Sequence, residues 1–264
     1  MESSAKNSHL GPELSRRLHR ALTCGKEELF EAILDSSPEV LRAALRNPAL
    51  DDNHLLALLG RRDLTEDLLR SVAALDVVPG NHRLTVALVH NLATPATISL
   101  PLLPHLYLFE LVTITEFPGT TPDQRLAAER AIIQRLPTIP LGNRITLARR
   151  ATAPVLDALM KEGDVRVVEA CLANPRLKEA SVFQLVSSSR TLAEAIAVVA
   201  RHQRWANRPN LKTAMLRNPG TPSPVFMSLL AGAPAMELRN LASSGRFGQE
   251  RKRLIQEELR RRGF

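Results

Sequence analysis

Arg201, Arg204 and Arg208 stand three and four residues apart in the stretch ARHQRWANRPNLK, with Lys212 following and Trp205 between them. On a helix that persists to Arg208, this spacing puts three guanidinium groups on one face. There they could grip phosphate or carboxylate oxygens through charge-assisted hydrogen bonds. A second cluster, Arg144, Arg149 and Arg150, lies in NRITLARR. These seven residues form the candidate polyanion-binding set; a solvated helix face is the plainer reading of the same pattern. Trp205 is read as a packing residue rather than a platform for stacked bases.

Other chemistry is thinly represented. His9, His19, His54, His82, His90, His105 and His202 are scattered, and none forms a two-histidine metal motif with a neighbouring acid. Cys24 and Cys171 are far apart and form no Cys-x-x-Cys pair. The CGKEEL segment lacks the upstream glycine and following hydroxyl of a phosphate loop, and no Gly-x-Ser-x-Gly elbow occurs. Asp51-Asp52 is read as a helix cap, and Glu257-Glu258 as a solvated helix face. No catalytic, cofactor-binding or metal-binding residue is assigned, and no cofactor is expected.

Charge is distributed unevenly. The chain carries +8 overall. Residues 1–143 sum to −3 and residues 144–264 to +11. A basic half of this kind suggests an acidic partner: nucleic acid, an anionic surface or an acidic protein. With two cysteines in 264 residues no disulfide framework is available, and a cytoplasmic location is expected. The N-terminal stretch lacks the apolar region of a secretory signal. Leu84 to Phe109 has no formal charge, but it carries Asn91, two histidines and three prolines. It is read as core helices broken by turns, not as a membrane span.

The elements that would position these groups follow from a recurring pattern. Asn47, Asn91, Asn174 and Asn218 are separated by 44, 83 and 44 residues. Four positions before them stand Ala43, Ala87, Ala170 and Ala214; seven before, Val40, Leu84, Val167 and Leu211; two before, Leu45, Val89, Leu172 and Leu216. Nine positions after come Leu56, Leu100, Phe183 and Met227, and twelve after, Leu59, Leu103, Val186 and Leu230. The spacing predicts a helix with one apolar side, alanine allowing a close neighbour, then a turn and a second helix. Asparagine tolerates the left-handed conformation and suits a helix C-terminus, and the proline that follows it at 48, 175 and 219 blocks continuation. Thr94-Pro95 and Thr221-Pro222 are expected to cap and restart the chain. A gap of 83 suggests two such steps with one elbow lacking asparagine, near Leu147 to Asp164, where Ala153-Pro154 restarts a helix.

The segments ANPRLKEASVFQLV and RNPGTPSPVFMSLLAG resemble HEAT-like helical repeats, and more loosely the leucine-rich-repeat variant with its Asn-Pro-x-Thr-Pro turn. The units are mostly longer than those of the variant, and its iron–sulfur cysteine cluster is absent. The resemblance implies an all-α, right-handed α-solenoid of stacked helical hairpins without a β-sheet. The expected organisation is capping helices over 1–37, a repeat array over 38–233, and a basic capping helix and tail over 234–264. It also implies a non-catalytic scaffold that binds a protein partner through its repeat surface. A nucleic-acid-binding array using the basic half is the alternative, with a HEAT-like DNA-repair enzyme behind it.

Overall fold

The structure, a computed structural model, describes residues 11–264; His9 and most of the N-terminal stretch discussed above lie outside them. Among the described residues the chain is all-helical, with eighteen α-helices, two short 3-10 turns and no strand. It divides into two compact units, residues 1–131 and 132–264. This division does not coincide with the three parts expected from the sequence, at 37 and 233.

Unit 1 runs through α1 (Pro12–Thr23), α2 (Lys26–Ala32), α3 (Pro38–Ala44), α4 (Asp52–Leu59), α5 (Glu66–Ala73), α6 (His82–His90), α7 (Ala96–Leu102), α8 (Leu108–Glu116) and the start of α9 (Pro122–Arg135). Unit 2 holds α10 (Leu141–Arg150), α11 (Ala153–Glu162), α12 (Val165–Leu172), α13 (Glu179–Ser187), α14 (Ala193–Arg201), α15 (Pro209–Arg217), α16 (Ser223–Gly232), α17 (Ala235–Ser243) and α18 (Gln249–Arg261). The two series correspond element by element at one offset: 174 − 47 and 218 − 91 both give 127. Adding that offset to α1 through α9 lands each on α10 through α18, within a few residues at the ends. The 44, 83, 44 spacing therefore marks the same two asparagines in each of two matching units, and the helix restart expected at Ala153-Pro154 is present, α11 beginning at Ala153 after α10 ends at Arg150.

Within unit 1, α1 packs on α3, α2 on α4, α3 on α5 and α4 on α6; within unit 2, α10 packs on α12, α11 on α13, α12 on α14 and α13 on α15. The apolar side predicted for each first helix faces the core. Val40, Leu84, Val167 and Leu211 are buried, as are Leu45, Val89, Leu172 and Leu216, and also Leu59, Leu103, Val186 and Leu230. Ala43 and Ala214 are buried, whereas Ala87 and Ala170 are half-buried. The positions nine after each asparagine behave differently. Leu56 and Leu100 are half-buried, and Phe183 and Met227 are exposed.

The asparagines do not end their helices in the left-handed conformation. No non-glycine residue has positive φ among the described residues, and the left-handed conformation at helix ends falls on Gly163 after α11 and Gly263 after α18, with φ 74° and 80°. All four asparagines are buried, and each clips its elbow to an earlier segment. Nδ2 of Asn47 donates to the carbonyls of Ala21 and Cys24 at 2.9 and 3.1 Å. Its counterpart Asn174 donates to those of Ala148 and Ala151, the same positions 127 residues on, at 2.8 and 3.2 Å. Asn91 reaches Leu59 and Arg61, and Asn218 reaches the matching Val186 and Ser188. Each Oδ1 also accepts from the backbone N–H two residues on, at Ala49, Ala93, Arg176 and Gly220. The amide thus satisfies helix-end carbonyls that burial would otherwise strand.

The threonines also differ from expectation. The Oγ1 atoms of Thr94 and Thr221 donate backwards to Leu88 and Met215, six residues earlier, and Pro95 and Pro222 occupy the N-cap positions. Asp51 does cap α4, accepting from Asn53 and His54. The uncharged stretch from Leu84 to Phe109 is divided among α6, α7, a 3-10 turn and α8, and among the described residues no helix is long and apolar enough to cross a membrane.

Candidate functional site

The seven candidate cations do not form a single ridge. α14 ends at Arg201, and residues 202–208 form turns before α15 begins at Pro209, so Arg201, Arg204 and Arg208 do not share a helix face. The chain turns there to bury Trp205, whose indole Nε1 donates to the Leu172 carbonyl at 2.9 Å. Trp205 is a packing residue.

Comparison of the two units separates structural cations from spare ones. Arg144 pairs with Glu162 at 2.7 Å, and unit 1 has the same bridge at the same positions, Arg17 to Asp35 at 3.0 Å. Arg208 lies 3.8 Å from Glu179, where unit 1 places Asn81 on Asp52. Both residues therefore serve interactions that the scaffold repeats. Arg204 lies over the Trp205 ring at 4.3 Å and donates to the carbonyls of Asn174, Pro175 and Leu177. Arg149, Arg201 and Lys212 are exposed and hold no ion pair among the described residues.

One edge of unit 2 collects arginines at successive elbows. Arg149 and Arg150 end α10; the guanidinium of Arg176, just past α12, donates to the Arg150 carbonyl at 2.9 Å; and Arg204, just past α14, holds the next elbow. Arg176 belongs to neither arginine cluster of the sequence, and the packing of α10 on α12 brings it to this edge. The matching positions in unit 1 are Leu22, Thr23, Ala49 and Val77, all uncharged.

Arg201 and Lys212 meet elsewhere, on an open groove of 720 Å³ formed by α14, α15 and α16 with the turn into α17. Its lining is mostly apolar, with Ala200, Val225 and Leu229 among the residues that form it and Gly232 and Pro234 alongside. Its one carboxylate, Glu237, is held by Arg217 through two bonds of 2.6 and 2.7 Å, which pulls its pKa below the ordinary carboxylate value. The same positions in unit 1 are filled. His82 stands in place of Pro209 and Tyr107 in place of Pro234, their rings 4.1 Å apart, and His82 Nε2 bonds Glu110, the counterpart of Glu237, at 2.9 Å. The groove of unit 2 thus arises from the small or ring-closed residues Gly232, Pro234 and Pro209.

Cys24 and Cys171 are buried and free, and burial pushes the Cys171 thiol up to about 12. Among the described residues no three His, Cys, Asp or Glu side chains are grouped to hold a metal ion. Compared with protein-family models, curated proteins and solved structures, the chain matches none of them.

Proposed function

We propose that this protein is a non-catalytic binding module, each unit a right-handed stack of HEAT-like helical hairpins, and that unit 2 engages an acidic protein partner. The next-but-one packing of helices within each unit supports the stacked arrangement. The observation that carries the functional reading is the charge difference between matching units. Unit 1 has 13 Lys and Arg against 17 Asp and Glu, and unit 2 has 22 against 10. Because unit 1 builds the same helices with uncharged residues at many of these places, the fold does not require the added cations. Where Arg149, Arg201 and Lys212 stand, unit 1 has Leu22, Ala74 and Thr85.

The test uses polyglutamate as an acidic polypeptide and transplants the unit 1 residues into unit 2. The native chain binds polyglutamate, and the combined Arg149→Leu, Arg201→Ala and Lys212→Thr variant binds about tenfold more weakly or worse with an unchanged melting temperature. Equal binding by native chain and variant rules the reading out.

The arginine edge supports a second reading, backbone contacts to a nucleic-acid duplex by Arg149, Arg150, Arg176 and Arg204. Random-sequence DNA would then bind with an affinity falling about 0.9 log units per log unit of salt for each phosphate contacted. A flat salt dependence removes this reading. The occupied donors of Arg176 and Arg204, and the mostly apolar lining beside Arg201 and Lys212, favour protein over nucleic acid.

A further inference from the structure

The groove of unit 2 combines three features that constrain its occupant. Its lining is mostly apolar, with Ala200, Val225 and Leu229 among its residues. Its only charges without an internal partner are cationic, Arg201 on the α14 side and Lys212 on α15, because Glu237 is neutralised by Arg217. It is also open to solvent rather than enclosed, and unit 2 lacks the His82–Tyr107 ring pair that stands at the matching positions in unit 1.

Resting on the reading of unit 2 as the binding unit, we infer that this groove receives a short acidic-apolar segment of a partner protein. Its apolar side chains lie on Ala200, Val225 and Leu229, and its carboxylates meet Arg201 and Lys212. The alanine, valine and leucine carbons in the lining match apolar side chains spaced along a helix or extended peptide, and Asn207, Thr213 and Ser228 beside them offer hydrogen bonds to its backbone. The flanking cations select acidic residues beside them, giving orientation as well as attraction. A nucleic acid would leave these carbons uncovered.

Gly232 supplies a specific way to close the groove. A Cβ at this position meets no heavy atom within 4 Å, so a larger side chain projects into open space without displacing the fold. Gly232→Phe therefore places a bulky ring at a position that lines the groove and leaves every surface charge in place. A phage-displayed library of random short peptides is selected on the full chain, and each selected peptide is then assayed on the native protein, on Gly232→Phe and on Arg201→Glu with Lys212→Glu. The proposal expects peptides carrying both acidic and apolar residues, bound at least about tenfold more weakly by each variant. Thermal melts of the variants matching that of the native chain establish that they fold. Selected peptides that bind Gly232→Phe as well as the native protein overturn the groove while leaving the acidic-partner reading intact. Selection of basic or uncharged peptides, or of none, overturns the proposal, and failure of polyglutamate as well overturns the wider reading. If random-sequence duplex DNA binds and Gly232→Phe releases it, the groove serves nucleic acid and the proposal is wrong.

Discussion

Unit 1 and unit 2 share a helix order, a pair of buried asparagine clips and an ion pair at matching positions, yet they present different surfaces. Where unit 1 places His82 against Tyr107 and Glu110, unit 2 opens a groove. Where unit 1 has Leu22, Thr23, Ala49 and Val77, unit 2 has Arg149, Arg150, Arg176 and Arg204. The lesson is one of internal control: what both units keep belongs to the fold, and what only unit 2 has is available for recognition.

The largest expected effect tests the shared part. Asn174→Ala strands the carbonyls of Ala148 and Ala151 and the N–H of Arg176, a loss of about 2–5 kcal/mol from several buried groups left unpaired. Asn47→Ala removes the matching three bonds and should cost a similar amount by urea unfolding. A large loss at one site with none at the other would break the equivalence of the units.

Next in size is overpacking. Ala214 is buried at a helix approach, so Ala214→Leu should destabilise unit 2 by ~1–3 kcal/mol. Its counterpart Ala87 is half-buried, so Ala87→Leu should cost less. Reversal of that order would show that the two units pack differently at this helix.

The thiols separate the units in alkali. The pKa of Cys171 is raised from its ordinary 9.0 to about 12 by burial, so the fold holds a proton that the unfolded chain releases. Its stabilising contribution is complete below pH 9 and is lost as pH rises towards 12. Cys171→Ala, which installs the residue found at Ala44 in unit 1, should flatten the alkaline limb of a stability profile. An unchanged limb would place its cause elsewhere.

The smallest effects come from exposed ion pairs. Removing the Arg144 bridge to Glu162 or the Arg17 bridge to Asp35 should cost ~0–1 kcal/mol each, because both are partly solvated. Glu237 adds a weak acid limb of the opposite sense. Its pKa is depressed by Arg217, so its contribution is present above the ordinary value of 4.5 and fades as pH falls through the lower folded value. Glu237→Gln should remove that limb.

Much of the helical core was legible in the sequence. Apolar residues seven and two before each asparagine, and twelve after it, are buried in both units because helical periodicity fixes which side faces inward. The asparagines were visible as landmarks, but their role was not. A residue that suits a left-handed helix end also carries two donors and an acceptor, and only the position of the earlier segment decides which property is used. The symmetrical 44, 83, 44 spacing was the available sign of two matching units. It was obscured because identity between them is concentrated at buried positions such as Val40 and Val167 or Leu84 and Leu211.

The candidate site was less legible. Clustering gathered Arg201 and Lys212, which line the groove, together with Arg144 and Arg208, which serve repeated structural contacts. It missed Arg176, which joins the arginine edge only through helix packing. The groove left no positive signal at all, since it is made by what Gly232, Pro209 and Pro234 lack.

The most direct measurement of the difference between the units is amide chemical-shift mapping of the full chain as polyglutamate is added. The account predicts perturbed amides around Arg149, Arg201 and Lys212, and none around the matching Leu22, Ala74 and Thr85. Perturbations centred on unit 1, or equal at both sets of positions, would contradict it.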